Sequence, residues 1–461
     1  MHNYSHKILL ACWFTSCVTW MSCSKQDEWL DSKANKRDIV PSKLSDYQSL
    51  LDYDDVYLNN AYPSLGQLSC DDYYSSYQNW QSSVVLYRNA YTWESDIFAG
   101  TNSSDWNNPY IQVAYANICL EGLKKIDRVS ENQSAWDNVK GSALFYRGQA
   151  YFHLLQHFAR PYDITTAYTD PGIVLRNTSD VNQLFPRSSV EDSYNQVIAD
   201  LQEAETLLPS VPSMLTRPSV RATDALLSRV YLSMRDYTKA GTYADKVLQQ
   251  ISTLIDYNTL NSASTYPLPS FQAGNKEVIF YATAAASTIQ STNGFVDSNL
   301  YKSYAANDLR KTIFFKQGTG TVSFRGNYTG VSTPFGGMAI NECYLVRAES
   351  AARKGNIAAA MNDLNSLLIK RWKTGTYVPL TALNADDALS KVLTERRKEL
   401  LYTGILRWID LRRLNKEPAY AKTLLRNLNG QVYTLKPDDP KYVFPIPDNE
   451  IRLSGIAQNP R

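Results

Sequence analysis

Acidic pairs, two histidines four apart and dense clusters of aromatic rings are the side chains here whose types and spacing could do chemistry. Asp71-Asp72, and Glu94 with Asp96, supply two carboxylate pairs. Glycoside hydrolysis needs two carboxyl groups roughly 5–10 Å apart. Neither spacing is diagnostic of that chemistry, and both pairs read as solvated loop acids. His153 and His157 fall on one face of an expected helix and could place two ligands side by side. No acidic partner accompanies them in HExxH fashion, so they read as packing or capping residues. No GxSxG, P-loop or GxGxxG stands in its proper context. No catalytic, cofactor-binding or metal-ligating residue is therefore expected.

The aromatic residues are the stronger signal. The chain holds 32 tyrosines and nine tryptophans. Such rings offer flat apolar faces together with a hydroxyl or N–H, and can stack on a ligand. Tyr73, Tyr74, Tyr77, Trp80, Trp93 and Trp106 crowd one irregular stretch, with Arg88, Asp96 and Asn107 as polar companions. Phe295, Tyr301 and Tyr328 belong to a second irregular stretch. Taken singly, each of these rings is a core candidate as well as a ligand contact. Tyr77 and Trp80 stand out because the residues around them are polar.

Three cysteines, Cys70, Cys119 and Cys343, lie beyond the N-terminal region. They cannot all pair, no CxxC or His-rich spacing suggests a metal, and they read as small buried hydrophobes. The net charge is +2 and no basic run occurs, which argues against nucleic acid as a partner.

The N-terminus carries a different chemistry. His6 and Lys7 precede an uncharged, mostly apolar stretch from Ile8 to Met21, followed by Ser22-Cys23 and the polar run Ser24 to Glu28. About 14 apolar residues fall short of the ~20 needed to cross a bilayer, so this is a secretion signal. A small residue before a cysteine resembles a bacterial lipoprotein processing site, where the cysteine becomes the lipidated N-terminus. Trp20 and Met21 depart from the usual box. Cys12 and Cys17 stand in better local boxes, but cleavage at either would leave a hydrophobic stub. Cys23 is the expected lipid attachment, and Cys17 the alternative. No second apolar stretch approaches spanning length. The expected layout is a signal over 1–22, a tether over 23–45, and one domain over 46–461.

Helical periodicity must position the rings. Leu44 to Leu51 begins a first helix, and residues 52–109 show no sustained period. The pattern turns helical from Tyr110 and again at about 135–158, 189–208, 221–235 and 238–251. Ser188-Ser189-Val190-Glu191 reads as a capping box. Leu226 to Leu248 and Val346 to Leu368 form a weak repeat, with Arg235-Asp236 standing over Gly355-Asn356. Each is a helix, a tight turn and a second helix opening on small residues, which resembles the tetratricopeptide unit. Residues 252–339 form a second irregular module containing the strand-like Glu277 to Tyr281. Residues 386–415 are expected to be helical, and 430–461 to be loop. The expected fold is mainly α: a tetratricopeptide-like helical-hairpin scaffold with irregular loop-rich modules and minor β.

The C-terminal half carries a family resemblance. Glu342 to Glu349 is followed by Arg353 to Asn356 and Asp363-Leu364-Asn365. Then come Glu395 to Leu400, Gly404, Arg407 to Arg413, Phe444 to Pro447, Glu450-Ile451 and Gln458 to Pro460. With Tyr146 to Leu154 and Trp106 to Asn117 upstream, these blocks resemble the SusD/RagB family. Tyr402-Thr403-Gly404 and Gly148 depart from its usual residues. That resemblance implies an outer-membrane lipoprotein of Bacteroidetes, anchored by lipid and exposed at the cell surface, that binds nutrients beside a SusC-like TonB-dependent β-barrel transporter. The acidic run after Cys23 resembles the family's export tag. In the family's glycan binders, sugar C–H faces stack on an arc of rings while Asn, Asp or Arg takes the hydroxyls. Oligosaccharide capture without catalysis is the expected function. Peptide capture, as in some relatives, is the alternative, and a carbohydrate hydrolase the third reading. The charged block of Arg396, Arg397, Glu399, Arg407, Asp410 and Arg412 also reads as architecture, with ion pairs fixing helix register and Trp408 and Leu411 on the buried side.

Overall fold

The computed structural model describes residues 41–285 and 294–461. Cys12, Cys17, Cys23, the signal and most of the tether lie outside the described residues. The scaffold helices are α1 (Leu44–Leu51), α2 (Ser104–Leu123), α3 (Gln133–Phe158), α4 (Val190–Leu207), α5 (Val220–Ser233), α6 (Tyr237–Gln250), α7 (Ile340–Arg353), α8 (Ile357–Leu368), α9 (Ala385–Glu399) and α10 (Leu406–Leu414). From α2 to α9 each helix packs on the next, so the stack is continuous. α6 packs directly on α7 although the whole second irregular module lies between them in sequence. That module is an insertion between two repeat units.

The repeat read from the sequence holds at the level of backbone angles. Arg235 (φ 64°) and Gly355 (φ 77°) occupy the left-handed region at equivalent turns. Asp236 and Asn356 then cap the following helices, accepting from the N–H of Lys239 and Ala359. Small residues set the helix spacing. A Cβ on Gly241 would fall 2.2 Å from Ser350 Oγ across the α6–α7 contact, and one on Gly148 would fall 3.1 Å from Leu201 Cγ across α3–α4. The glycine at position 148 thus brings α4 closer than a larger residue would. The cap of α4 sits one residue later than expected. Ser189 Oγ accepts from Asp192 N–H at 2.9 Å, so Asp192 rather than Glu191 holds the third helical position.

Two expectations need correction. Residues 52–109 are not irregular throughout. They hold the short helices Asp54–Tyr57, Leu65–Ser69, Tyr77–Ser82 and Val85–Thr92, and α2 already begins at Ser104. These helices are too short to show a period. Residues 430–461 are not all loop. Gln431–Leu435 pairs antiparallel with Leu424–Leu428, and Asp448–Ser454 is a helix following Pro447. The hairpin turn is Asn429-Gly430, both at positive φ, a signal of the two-residue type. The strand-like Glu277 to Tyr281 contains the strand Val278–Phe280, paired with Met338–Ala339. Other two-stranded ladders join Pro171–Val174 to Arg187–Ser189 and Phe315–Gln317 to Val322–Phe324.

Two glycine substitutions separate backbone strain from close packing. A Cβ on Gly355 meets nothing within 4 Å, so Gly355→Ala pays only for its left-handed backbone, about 1 kcal/mol. Gly241→Ala must push α6 from α7 and is expected to cost more, about 3 kcal/mol. Urea unfolding midpoints check the order, and Ser350→Gly should recover part of the second loss but none of the first.

Candidate binding surface

The strand Tyr73–Ser75 from the first module pairs antiparallel with Gly294–Val296 from the second, and this pairing sets Tyr74 directly opposite Phe295. Alternation along the strand turns Tyr73 and Ser75 inward and leaves Tyr74 36% exposed. The Tyr74 and Phe295 ring centroids are 5.6 Å apart. The chain then enters the helix Tyr77–Ser82, capped by Ser76 and with no fully buried residue. Tyr77 and Trp80 lie one turn apart on it, with centroids 5.8 Å apart. Arg88 lies 5.9 Å over the Trp80 ring and donates to the Gln81 carbonyl at 2.9 Å, while Trp80 Nε1 donates to the Arg88 carbonyl. Two pairs of half-open rings, Tyr74 with Phe295 and Tyr77 with Trp80, thus come from one strand–helix segment and its partner strand, with Arg88 over the second pair.

Tyr301 is half-buried nearby in sequence, edge-on to Phe315 at 5.3 Å, with Lys311 Nζ 5.2 Å from its ring and Gln317 donating to its hydroxyl. The strand Val322–Phe324 packs against Gly294–Val296 and so brings this hairpin up to the Phe295 strand. Phe315 and Gln317 were not singled out in the sequence, because a three-residue strand with one inward ring leaves no periodic signal.

Other candidates lie elsewhere. Tyr73, Trp93, Trp106 and Tyr328 are buried and present no face to a ligand. Tyr73 and Trp93 surround a buried cation. The Arg426 guanidinium lies 5.4 Å from the Tyr73 ring, 4.6 Å from Trp93 and 3.6 Å from Tyr91. Trp93 Nε1 donates to the Ser69 carbonyl and the Tyr73 hydroxyl to that of Leu68. Trp106 packs between Tyr110 and Phe158, at 5.0 and 4.9 Å, where α2 meets α3. The Tyr328 hydroxyl donates to Glu277 at 2.6 Å. Asn107 is half-buried on α2. Asp96 is exposed, its carboxylate accepting from Ala99 N–H at 2.8 Å.

Of the two acidic pairs, Glu94 and Asp96 are exposed as expected, but Asp71 and Asp72 are not solvated loop acids: Asp72 is buried and Asp71 is largely covered by its ion pairs. Burial alone would raise Asp71, but Arg407, Arg397 and Lys422 outweigh it and hold the carboxyl well below the usual range. Burial raises Asp72, whose carboxylate accepts from Gln67 at 3.3 Å. Glu94 is exposed and accepts from the Thr92 hydroxyl. His153 and His157 are buried in α3. His157 Nδ1 donates to the His153 carbonyl at 2.8 Å, and its Nε2 accepts from Gly66 N–H at 3.3 Å. Both ring nitrogens are thus used by a neutral imidazole. Burial pushes His157 down to about 3 and His153 well below its ordinary value.

The charged block is buried between helices. Arg396 on α9 donates to Asp410 on α10 at 2.8 Å, and Arg413 joins Asp410 at 2.8 Å to Glu349 on α7 at 2.6 Å. Glu399 receives Arg310 at 3.2 Å and Arg371 at 2.9 Å, and Arg371 also reaches Glu277 at 2.9 Å. Trp408 and Leu411 are buried, as the helix pattern requires.

The fold and surface define a helical-repeat protein that mounts an aromatic face on inserted segments. Residues 28–232 match a family model described as starch-binding associating with outer membrane, and residues 238–461 match that of the SusD family. The chain belongs to the SusD/RagB family. A SusD-like protein P2 of Formosa agariphila is 28% identical over 149 residues, a match spanning 32% of this chain and 27% of that relative's length. Among solved structures, a putative sugar binding protein from Bacteroides vulgatus superposes with a TM-score of 0.73 at 22% identity, covering 92% of this chain and 99% of its own. A SusD superfamily protein from Bacteroides thetaiotaomicron gives 0.73 at 22%, over 91% and 100% of the two chains. At these identities the likeness speaks to the fold.

The buried histidines make stability depend on pH. Their pKa values lie lower in the folded than in the unfolded chain, so their contribution is full above about pH 6.5 and lost as pH falls toward about 3. Asp105 and Asp224, raised by burial to about 6 and about 7, bind protons in the folded chain over the same range and pull stability the other way. The histidine part is therefore read from the variant: His157→Asn should lose less unfolding free energy from pH 7 to 5 than the parent chain, and an identical pH profile would contradict neutral burial.

Proposed function

We propose that this protein captures oligosaccharide at the cell surface and delivers it to a SusC-like TonB-dependent β-barrel transporter, with no reaction of its own. The observation that carries the reading is the pairing of Tyr74 with Phe295, which joins half-open rings from two modules, with the half-open Tyr77, Trp80 and Arg88 following Tyr74 in the chain. Rings at this exposure stack on sugar C–H faces, and Arg88 is placed to take hydroxyls. The family descriptions and the sugar-binding relatives support it. The engaged or solvated carboxylates at Asp71, Asp72, Glu94 and Asp96 favour binding over hydrolysis. Anchoring would follow removal of residues 1–22 and lipidation of Cys23, with 23–45 as tether to one domain over 46–461. Intact mass of the mature N-terminus distinguishes Cys23 from Cys17.

Titration calorimetry against plant, host and microbial oligosaccharides, with peptide pools alongside, tests the ligand class. Trp80→Ala and Tyr74→Ala should each weaken oligosaccharide binding about tenfold, the worth of one stacked ring. Tyr74→Ala should leave the unfolding midpoint nearly unchanged because its ring is exposed, whereas Trp80→Ala also loses the hydrogen bond to the Arg88 carbonyl and should lower it. Binding of peptides alone, or sugar release by the isolated protein, would overturn the reading.

A further inference from the structure

An open cavity of about 340 Å³ lies where the short helix Ser298–Lys302 meets α9, α10 and the chain at Tyr420. Its lining carries three cations, Arg397, Lys398 and Arg407, and no carboxylate. Lys398 adds no free charge, because its ammonium turns to Glu395 at 2.7 Å. The two guanidiniums differ from it. Arg407 gives Nε and Nη2 to the Asp71 carboxylate, and Arg397 gives Nη2 to the Asp71 carbonyl and carboxylate. Nη1 of each bonds to nothing among the described residues and is not sealed from solvent. The Arg397 side chain is 21% exposed and that of Arg407 12%. Each guanidinium thus keeps one donor in reserve.

The carboxylates behind these guanidiniums are outnumbered. Asp71 serves Arg407, Arg397 and Lys422 together. Asp297 approaches Arg397 at 3.9 Å. Asp410 is shared by Arg396 and Arg413. Burial pushes Asp72 up, toward its neutral form. The walls of the cavity add polar groups without a partner. Ser390 and Thr394, one turn apart on α9, and Asn299 are exposed, and their side chains bond to nothing among the described residues. Tyr420 adds a half-buried ring. Guanidiniums short of negative charge call for an oxyanion, and bonds to it are stronger than neutral ones. The surrounding hydroxyls and amide call for a molecule that carries hydroxyls of its own. We propose that this cavity binds a small sugar acid, its carboxylate on Arg397 Nη1 and Arg407 Nη1 and its hydroxyls on Ser390, Thr394 and Asn299. The site is separate from the ring face and does not depend on the reading of that face.

Thermal unfolding of the full mature chain tests it, with glucuronate, glucose, acetate or inorganic phosphate added at constant ionic strength. Glucuronate should raise Tm saturably, by about 2 °C at ten times its Kd. Glucose should give no such rise, and acetate and phosphate should need about tenfold higher concentration, since they lack the hydroxyl contacts. Thr394→Glu sets a carboxylate one turn from Arg397 on an exposed position and should abolish the response. Thr394→Gln, of the same size without the charge, should only weaken it, by less than about tenfold. Equal effects of glucose and glucuronate, tighter binding of phosphate than of glucuronate, no saturable effect of glucuronate, or an undiminished response in Thr394→Glu would overturn the proposal.

Discussion

Asp71 is the residue on which the binding face depends. It stands two residues before the Tyr73–Ser75 strand and is gripped by Arg407 at 2.6 Å, Arg397 at 3.1 Å and Lys422 at 2.6 Å. Arg397 also reaches Asp297, just after the partner strand, at 3.9 Å. Between them, Asp297 N–H donates to the Asp72 carbonyl at 2.8 Å. The two strands that carry Tyr74 and Phe295 are therefore fastened at the same end, to helices from the far end of the chain. A face built from two irregular modules needs such a fixed point, since a two-stranded ladder is marginal by itself.

The same logic repeats deeper in the molecule. Glu399 gathers Arg310 from the second module and Arg371 from beyond α8, and Arg371 passes the connection to Glu277 at the other end of that module. Buried ion pairs contribute little net stability against an apolar alternative, but losing one partner costs about 3–5 kcal/mol. Their use here is positional. The inserted module is too irregular to specify its own docking, and a chain of charges with few alternative pairings fixes it on the stack.

The scaffold was legible because periodicity and turn chemistry survive in a single sequence. Arg235-Asp236 and Gly355-Asn356 mark equivalent turns, and Trp408 and Leu411 mark a buried stripe. The charged block was readable as architecture, yet its partners were not. Nothing local in the sequence couples Asp71 to Arg407, or Glu399 to Arg310. The ring set was legible as a set and not as a face. Tyr73 and Tyr74 are adjacent and alike, and only the pleat decides that one is core and the other half-open. Trp93 and Tyr73 could not be recognised as the walls around Arg426, which arrives from the C-terminal hairpin.

The most direct measurement is amide hydrogen exchange of Asp71→Asn, read beside its oligosaccharide affinity. Loss of the carboxylate should speed exchange in 73–82 and 294–302 while α3 and α4 keep their protection, and affinity should fall although no ring has been touched. Unchanged exchange in those strands with full affinity would contradict the account, as would loosening spread evenly over the whole stack.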